Sequence, residues 1–451
     1  MSAALRAFQT QLNVTGNNIS NAETAGYSRR TVSLTQSVSN PVSVGKTVNM
    51  GNGVDVAAVS RVRDMFLTAR RAETESKLGR GQESLTGLSN IQTAMAEPGD
   101  DGVSAAYDTF NNAWSSLSAS PGSSAAKSDV QLAGSQLASK VSSFAQALQS
   151  QKADNSTNTK EILGKIDAAA SKIADLNTKI AEATAQGGTP NDLMDERDQA
   201  VGDLSALADV TVSRNDAGYD VSLNGFQLVN RSGAKTVSDK YDATTGKIVD
   251  GSSSFAVNGG SLAGAHDVDV AIDATRSRLD TFADTLRTQV NSLFATGTSS
   301  SGTTGAPFFA EPVPPATSVG ALGLRLDDNI AADANNIASG TSGLAGDGTL
   351  AAQISGLRDT KVSALGNQTL GSYYSSLVSD VGRQVASAQD GVSTYESVAK
   401  QIDGQISETS GVSMDDEMAT LLRFQRAYQA AAKAMSTFDS MTETLIGMLN
   451  R

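Results

Sequence analysis

ILGKIDAAASKIADLNTKI, residues 162–180, carries the most regular apolar pattern in the chain. Its apolar side chains alternate between spacings of four and three residues, at Ile162, Ile166, Ala169, Ile173, Leu176 and Ile180. Side chains with this spacing fall on one side of an α-helix and form a narrow stripe, as in helices that pack side by side at small crossing angles. The stretch therefore predicts a long helix within a bundle.

Six other parts of the chain carry a similar stripe. They lie within residues 5–19, 78–95, 137–148, 279–293, 377–406 and 414–449. Hydrophobic residues make up 39% of the chain and aromatic residues 5%, which suits thin helical layers better than one thick core. The sequence predicts a mainly α fold, a long antiparallel helical bundle whose two terminal helices pair as a coiled coil.

The middle of the chain shows a different pattern. Apolar and polar residues alternate on both sides of Asn224-Gly225, in residues 219–223 and 226–228. An Asn-Gly pair between two alternating runs is a strong hairpin signal, because both turn positions need a positive φ. The sequence predicts a smaller β-rich domain inserted into the helical part.

These patterns divide the chain into seven segments. The terminal coiled-coil domain takes residues 1–45 and 412–451, the helical bundle 46–204, 269–296 and 357–411, the inserted β-rich outer domain 205–268, and an irregular outer segment 297–356. A flexible low-complexity loop is expected at residues 296–305, and an extended segment around Pro312, Pro314 and Pro315.

Composition argues against several classes of protein. The chain has 451 residues, a net charge of −13, one histidine and no cysteine. Disulfide frameworks, thiol nucleophiles and cysteine-ligated metals are excluded, and an acidic chain without a basic block favours neither nucleic acid nor an anionic membrane as a partner. It has no apolar stretch long enough to span a bilayer, and its first residues do not resemble a cleavable secretory signal.

Candidate catalytic and metal-binding residues are equally scarce. The lone His266 lies in the polar stretch GAHDVD, which is typical of a surface histidine. Asp415, Asp416 and Glu417 follow Ser413 at the start of the last apolar stripe, where carboxylates complement the helix dipole better than they would hold a metal. We expect no enzyme activity, no cofactor, no metal and no small-molecule substrate.

The two ends of the chain are the candidate functional region. The N-terminal stripe is formed by Leu5, Phe8, Leu12 and Ile19, and the C-terminal one by Met414, Met418, Leu421, Phe424, Tyr428, Met435 and Leu445. We expect the first stripe to face part of 418–435, with Gly16 permitting a close approach. Because a short isolated helix is marginal in water, the N-terminal helix is expected to order only on partner helices of this chain or of neighbouring copies.

Residues 17–29, NNISNAETAGYSR, resemble the N-terminal signature of the axial proteins of the bacterial flagellum. The residues that carry the likeness are Asn17, Asn18, Ile19, Asn21, Thr24, Gly26, Tyr27 and Arg29. Residues 51–67, 279–309 and 410–430 are similar to the hook-associated protein 1 family in particular. Two departures occur, since Ala25 replaces a frequent proline and Arg30 stands where the family often has glutamine.

The resemblance implies a structural protein of the extracellular flagellum, on the hook side of the hook–filament junction. Such a protein is exported without a cleavable signal peptide and is needed for filament assembly. Its implied partners are further copies of itself in a helical ring, the hook protein, the second junction protein and a cytoplasmic export chaperone that binds the C-terminal helix. Gly26 is expected to end the first helix, and Tyr27 to anchor the outgoing loop.

Two alternatives remain open. A distal rod or hook subunit would share the terminal motif but should contain more β structure and fewer long helical stripes. A glycan hydrolase or peptidase grafted onto an axial scaffold would need an acidic pair or a metal motif within residues 205–355, and the sequence offers no candidate for either.

Overall fold

The computed structural model describes residues 2–24, 26–37, 40–44, 46–50, 53–215, 218–299, 304–312, 320–344 and 346–449. Helices dominate these residues, and the mainly α prediction is confirmed. The helices are α1 (Ser2–Ser20), α2 (Met65–Met95), α3 (Val103–Ala119), α4 (Ser124–Ala185), α5 (Asn191–Leu207), α6 (Gly260–Phe294), α7 (Asp328–Ala332), α8 (Thr349–Ser355), α9 (Leu370–Ser410) and α10 (Met414–Leu449). Short 3₁₀ turns lie at Gly320–Gly323, Ala334–Asn336, Gly356–Asp359 and Ser363–Leu365.

The strands form small antiparallel sheets. They are β1 (Arg30–Gln36), β2 (Asn40–Val44), β3 (Lys46–Met50), β4 (Val54–Arg61), β5 (Val210–Asn215), β6 (Gly218–Leu223), β7 (Phe226–Asn230), β8 (Gly233–Ala234), β9 (Tyr241–Asp242), β10 (Lys247–Asp250) and β11 (Ser253–Ala256). Strand β1 pairs with β4 and β2 with β3, while the later strands form sheets in the orders β5-β6-β7-β8 and β11-β10-β9.

The predicted hairpin is confirmed. Strands β6 and β7 pair with Leu223 opposite Phe226, and the connecting Asn224 and Gly225 both have positive φ, 46° and 97°. On β6 the burial alternates, and the inward side chains are those of Tyr219, Val221 and Leu223. The apolar side chains that alternate along the sequence therefore form the inner face of this sheet.

The chain folds into two compact units. Unit 1 comprises Met1–Leu78, Leu163–Gly260 and Thr394–Arg451, and unit 2 comprises Gly79–Ile162 and Ser261–Ser393. This division groups the chain differently from the seven segments expected from the sequence, which remain a prediction.

Unit 2 is built around a buried aromatic cluster. The Trp114 side chain is fully buried, and its ring centroid lies 5.3 Å from that of Phe308 and 6.2 Å from those of Phe110 and Phe294. The Asn291 side chain accepts hydrogen bonds from the amides of Phe308 and its neighbour Phe309, at 3.0 and 2.9 Å. An extended segment that carries two phenylalanines is thereby fixed inside a helical core.

In unit 1, a polar contact joins the β5–β8 sheet to the helices. Asn177 of α4 donates to the Tyr219 carbonyl at 2.8 Å and accepts from the Tyr219 amide at 3.1 Å. Arg197 of α5 donates to the same Asn177 side chain at 3.0 Å, and its guanidinium lies 3.6 Å from the Tyr219 ring centroid. All three side chains are buried, so this contact fixes where the inserted sheet meets the helices.

Several features differ from expectation or lie outside the described residues. Strands β1–β4 occupy a part of the chain for which the sequence indicated no β structure. The close approach expected at Gly16 is wrong, since a Cβ there would meet nothing within 4 Å. Residues 300–303 of the expected low-complexity loop, Pro314, Pro315, Ala25 and Gly51-Asn52 lie outside the described residues.

Candidate functional site

The two terminal helices pack against each other within unit 1. The Asn18 side chain near the end of α1 contacts the backbone of Arg30, and the Arg29 amide donates to the Ser410 carbonyl, just before α10, at 3.0 Å. The end of α1 therefore lies beside the start of α10, and the two helices run antiparallel. Helix α10 is well capped, because Ser413 accepts from the Asp416 amide at 3.3 Å and three acidic residues follow it.

The apolar stripe of α1 is half-buried rather than enclosed. Intermediate exposure is shared by Leu5, Phe8, Leu12 and Ile19. The buried positions of this helix are the small or polar side chains of Ala7, Thr15 and Asn18. A line of small residues allows close packing within the chain, while the large apolar side chains remain partly open to further partners.

On α10 the predicted residues fall into two groups. Leu421, Phe424 and Met435 are half-buried, as is Ala431, and with buried Glu417 they form a seam of three- and four-residue spacing. The other predicted residues have exposed side chains and do not belong to this seam. They are Met414, Met418, Tyr428 and Leu445.

Helix α10 extends well past its partner. Helix α1 has 19 residues, about 28 Å, and α10 has 36, about 54 Å. Met435 is the last residue of α10 with intermediate burial, and every side chain in 436–448 is exposed. The final third of α10 therefore has no partner among the described residues.

The loop after α1 folds back onto that helix through one side chain. Asn18 accepts hydrogen bonds from the Tyr27 hydroxyl at 2.8 Å and from the Arg30 amide at 3.0 Å, and it donates to the Arg30 carbonyl at 3.0 Å. The Arg30 guanidinium lies 5.0 Å from the Tyr27 ring centroid. Asn18 thus ties the helix, the loop and the first strand together.

Burial raises the pKa of Tyr27 above its ordinary value, although the positive charge of Arg30 opposes this shift. The phenol is therefore neutral at physiological pH and donates its proton to Asn18. Gly26, just before it, has a φ of 80°, which a side chain would strain. Helix α1 ends at Ser20, six residues before Gly26, so the expectation that Gly26 ends the first helix is wrong. The hydrogen bond of Tyr27 to Asn18 agrees with the expected anchoring of the loop.

The other motif residues make local contacts. Asn21 donates to the Asn17 carbonyl at 2.9 Å, and the Thr24 hydroxyl donates to the Asn21 side chain at 3.3 Å. The backbone of Arg29 bonds to two segments that are distant in sequence. Its amide donates to the Ser410 carbonyl, and its carbonyl accepts from the Val62 amide at 2.8 Å.

Three arginines and three aspartates connect this motif to α5, a feature that the sequence reasoning missed. Arg61 donates to Asp195 and to Asp198, both at 2.8 Å. Arg30 contacts Asp192 and Asp195, and Arg63 binds Asp198. All of these side chains except Asp192 are at least four-fifths buried.

This ion network has a signal in the sequence. Arg61 and Arg63 are two residues apart on an extended segment, and Asp192, Asp195 and Asp198 recur every three residues on a helix. The arginines therefore lie on one face of the extended segment, and the aspartates lie on one face of the helix. Burial alone would lower the pKa of Arg61, but the two carboxylates outweigh it and raise that pKa.

Little else in the described residues suggests chemistry. They contain no cluster of three potential metal ligands of the His, Cys, Asp or Glu type. None of the described helices is long and apolar enough to cross a membrane. One open depression of about 450 Å³ in unit 1 is lined by mostly polar residues of α4 and of the turn after β7, without an acid–base pair in hydrogen-bonding contact.

Three family models match different parts of the chain. The flagellar hook-associated protein FlgK helical domain matches residues 88–309. The flagella basal body rod protein model matches residues 2–27, and the flagellar basal body rod FlgEFG protein C-terminal model matches residues 404–448.

Curated relatives match along nearly their whole length. Flagellar hook-associated protein 1 of Bacillus subtilis is 26% identical over 493 residues, covering 98% of this chain and 96% of the relative. The proteins of the same name from Salmonella typhimurium and Escherichia coli are 24% and 25% identical, each covering 99% of this chain and 98% of the relative.

A solved structure, the flagellar hook junction protein FlgK from Burkholderia pseudomallei, aligns with a TM-score of 0.48 and 23% identity, covering 54% of this chain and 46% of that one. The helical-domain model and the full-length relatives agree with the motifs at both ends. The chain belongs to the flagellar hook-associated protein 1 family.

Proposed function

We propose that this protein is a structural subunit of the bacterial flagellum that forms the hook side of the hook–filament junction and is required for filament assembly. The observation that carries the proposal is the full-length similarity to hook-associated protein 1 of several bacteria. The helical domain favours it over a distal rod or hook subunit, because the rod-type models match only the two ends.

The protein acts through contacts rather than catalysis. Its partners are further copies in a helical ring, the hook protein and the second junction protein, with a cytoplasmic chaperone on the C-terminal helix before export. It reaches the outside of the cell without a cleavable signal peptide. Support comes from the half-open stripe of α1 and the exposed stripes of α10, which leave apolar side chains available to other subunits.

Subunits arranged in this way meet through non-identical faces. Such heterologous contacts generate an open tube if the rotation does not close, whereas identical faces would give closed dimers. The candidate self-assembly residues are those of the two terminal stripes, and the motif around Asn18 and Tyr27 positions the first of them.

Deletion of the gene tests the position in the flagellum. Electron microscopy of the mutant should show intact hooks without filaments, and the wild-type gene on a plasmid should restore filaments. Loss of the hooks as well would favour a rod or hook subunit, and full-length filaments would contradict the proposal.

A charge in the N-terminal stripe tests the assembly role. Leu12→Asp should leave the helical core folded but abolish incorporation at the hook tip, because a carboxylate cannot be buried against a partner helix without a large cost. The neighbouring exposed Asn13 provides the matched control, and Asn13→Asp should incorporate normally. Unchanged motility of the Leu12→Asp strain would contradict an assembly role for this stripe.

A further inference from the structure

Two apolar surfaces of unit 1 are exposed at opposite ends of α10. The first, which we call the head patch, consists of Met65, Phe66, Met414, Met418 and Leu422. The second, which we call the tail seam, consists of Phe438, Met441, Leu445 and Met448. Each of these side chains is about half exposed or more, from 48% at Met414 to 71% at Met448.

The head patch gathers side chains from two helix starts. The Arg29 amide donates to the Ser410 carbonyl and the Arg29 carbonyl accepts from the Val62 amide, so the segments that lead into α10 and into α2 lie on either side of one residue. Further along α2, an ion pair of 2.6 Å between Arg71 of α2 and Asp403 of α9 holds these two helices side by side.

Local contacts also fix the part of the head patch that lies on α2. Asp64 caps α2 by accepting from the amides of Phe66 and Leu67, at 2.8 and 3.1 Å. The Arg70 guanidinium lies 5.8 Å from the Phe66 ring centroid. An aromatic and several methionines held on capped helices form the kind of pre-organised anchor that dominates protein interfaces, and methionine adapts to the shape of a partner.

The tail seam continues an interface that already exists in the chain. The seam of α10 that faces α1 runs through Phe424, Ala431 and Met435, and the same heptad spacing leads on to Phe438 and Leu445. Burial stops at Met435 because α1, which runs antiparallel to α10, does not cover it further, although the apolar pattern continues. None of the described residues covers the tail seam, whose apolar pattern continues that of a helix–helix interface.

The head patch of a subunit cannot cover the tail seam of the same subunit. Met414 and Phe438 lie 24 positions apart on one continuous helix, a distance of about 36 Å. An equivalent patch on a second copy faces no such restriction. The two surfaces are different and lie at opposite ends, so contact between them would run head to tail and would not close after two subunits.

We propose that the tail seam of one subunit packs on the head patch of a second copy. This inference rests on the proposed self-assembly and names the surfaces that meet. The continuity of the tail seam with the α1–α10 interface carries it. Each subunit then covers, with its head patch, the part of a neighbour's α10 that the neighbour's own α1 leaves exposed.

Cysteine pairs test the contact, because the natural chain has no cysteine. Met418→Cys and Leu445→Cys are made as separate single variants and expressed together in cells that lack the wild-type gene. Flagella are isolated and oxidised. Subunits held in contact experience an effective concentration of about millimolar, so the 418–445 disulfide dimer should exceed the background by at least about tenfold.

The matched control replaces Met418→Cys by Leu132→Cys, an equally exposed apolar position in unit 2. Each single variant alone should give little dimer, because like positions do not meet in a heterologous contact. A 418–445 yield no higher than the 132–445 yield, or abundant dimer from one variant alone, would overturn the proposal.

Two further measurements separate this pairing from the proposed function. Immunogold labelling of the wild-type protein at the hook tip reports the function by itself, so labelled tips without the 418–445 dimer would reject only the pairing. A photoreactive residue at position 445 should capture a second copy. Capture of the hook protein or of a chaperone in its place would overturn the inference.

Discussion

The core of unit 2 and the terminal region of unit 1 are stabilised in different ways. In unit 2 the cluster around Trp114 and Phe308 is aromatic and fully buried. In the terminal region the buried positions include Asn18 and an ion network, and the large apolar side chains of the two terminal helices are half-buried or exposed. Apolar burial stabilises a domain by itself, whereas polar contacts fix direction and leave apolar surface for other subunits.

This difference separates folding from assembly. A subunit that buried all its apolar surface would have nothing left for its neighbours. A subunit with a weak core would not keep its shape on its own. Here the aromatic core lies in unit 2 and the open stripes of α1 and α10 lie in unit 1, and single substitutions can test each separately.

The largest effect is expected in the core of unit 2. Trp114→Ala removes a fully buried ring and leaves a cavity, so the free energy of unfolding should fall by about 3–5 kcal/mol. Urea unfolding followed by circular dichroism measures this. Leu132→Ala, at an exposed site of the same unit, should change it by less than about 0.5 kcal/mol. A similar loss from both variants would contradict the contrast between core and surface.

The ease of predicting these regions from sequence also differs. Helix periodicity and the Asn224-Gly225 turn are local signals, and the helices and the hairpin follow from them. Strands β1 and β4 also contain alternating apolar and polar residues. Because 17 residues separate the two strands, no tight turn between them indicates that they pair. Arg61 and Asp195 are 134 positions apart, and only the fold brings them together.

The candidate site was predictable to a similar degree. The motif residues Asn18 and Tyr27 were identified by resemblance, but their mutual hydrogen bond could not be read from their spacing. The heptad pattern of α10 marked Leu445 as equivalent to Phe424. The pattern could not show that α1 does not extend alongside Leu445, because the apolar pattern of one helix does not give the length of the helix that packs against it.

A smaller effect is expected at the polar centre of the terminal region. Asn18→Ala leaves the Tyr27 hydroxyl and the Arg30 amide without their acceptor, which should cost about 1–3 kcal/mol. Amide exchange should show lost protection in α1 while the helices of unit 2 keep theirs. Asn17→Ala, one position earlier and exposed, is the matched control. Equal loss of protection in both units would mean that they do not respond separately.

Alkaline pH should weaken the terminal region before it affects the core tyrosine. Burial raises the pKa of Tyr27 above 10.0 and that of Tyr107 to about 12. A tyrosine whose folded-state pKa is raised contributes stability that is complete below its unfolded pKa and is lost as pH rises through the folded value. The protection of α1 amides, relative to their intrinsic base-catalysed exchange, should therefore fall as the pH rises through the raised pKa of Tyr27, and Tyr27→Phe should remove that step. An unchanged step in the variant would assign it to another group.

Removal of the end of α10 should have the smallest effect on stability and a large effect on assembly. Stopping the chain after Met435 removes the tail seam, whose side chains are all exposed. Since the described residues bury none of it, the free energy of unfolding in urea should stay within about 0.5 kcal/mol of that of the full chain. Junction assembly, scored by electron microscopy of hook tips, should be lost. A large fall in stability would show instead that the end of α10 helps to hold its own subunit, and the division between a self-sufficient core and an open terminus would have to be redrawn along α10.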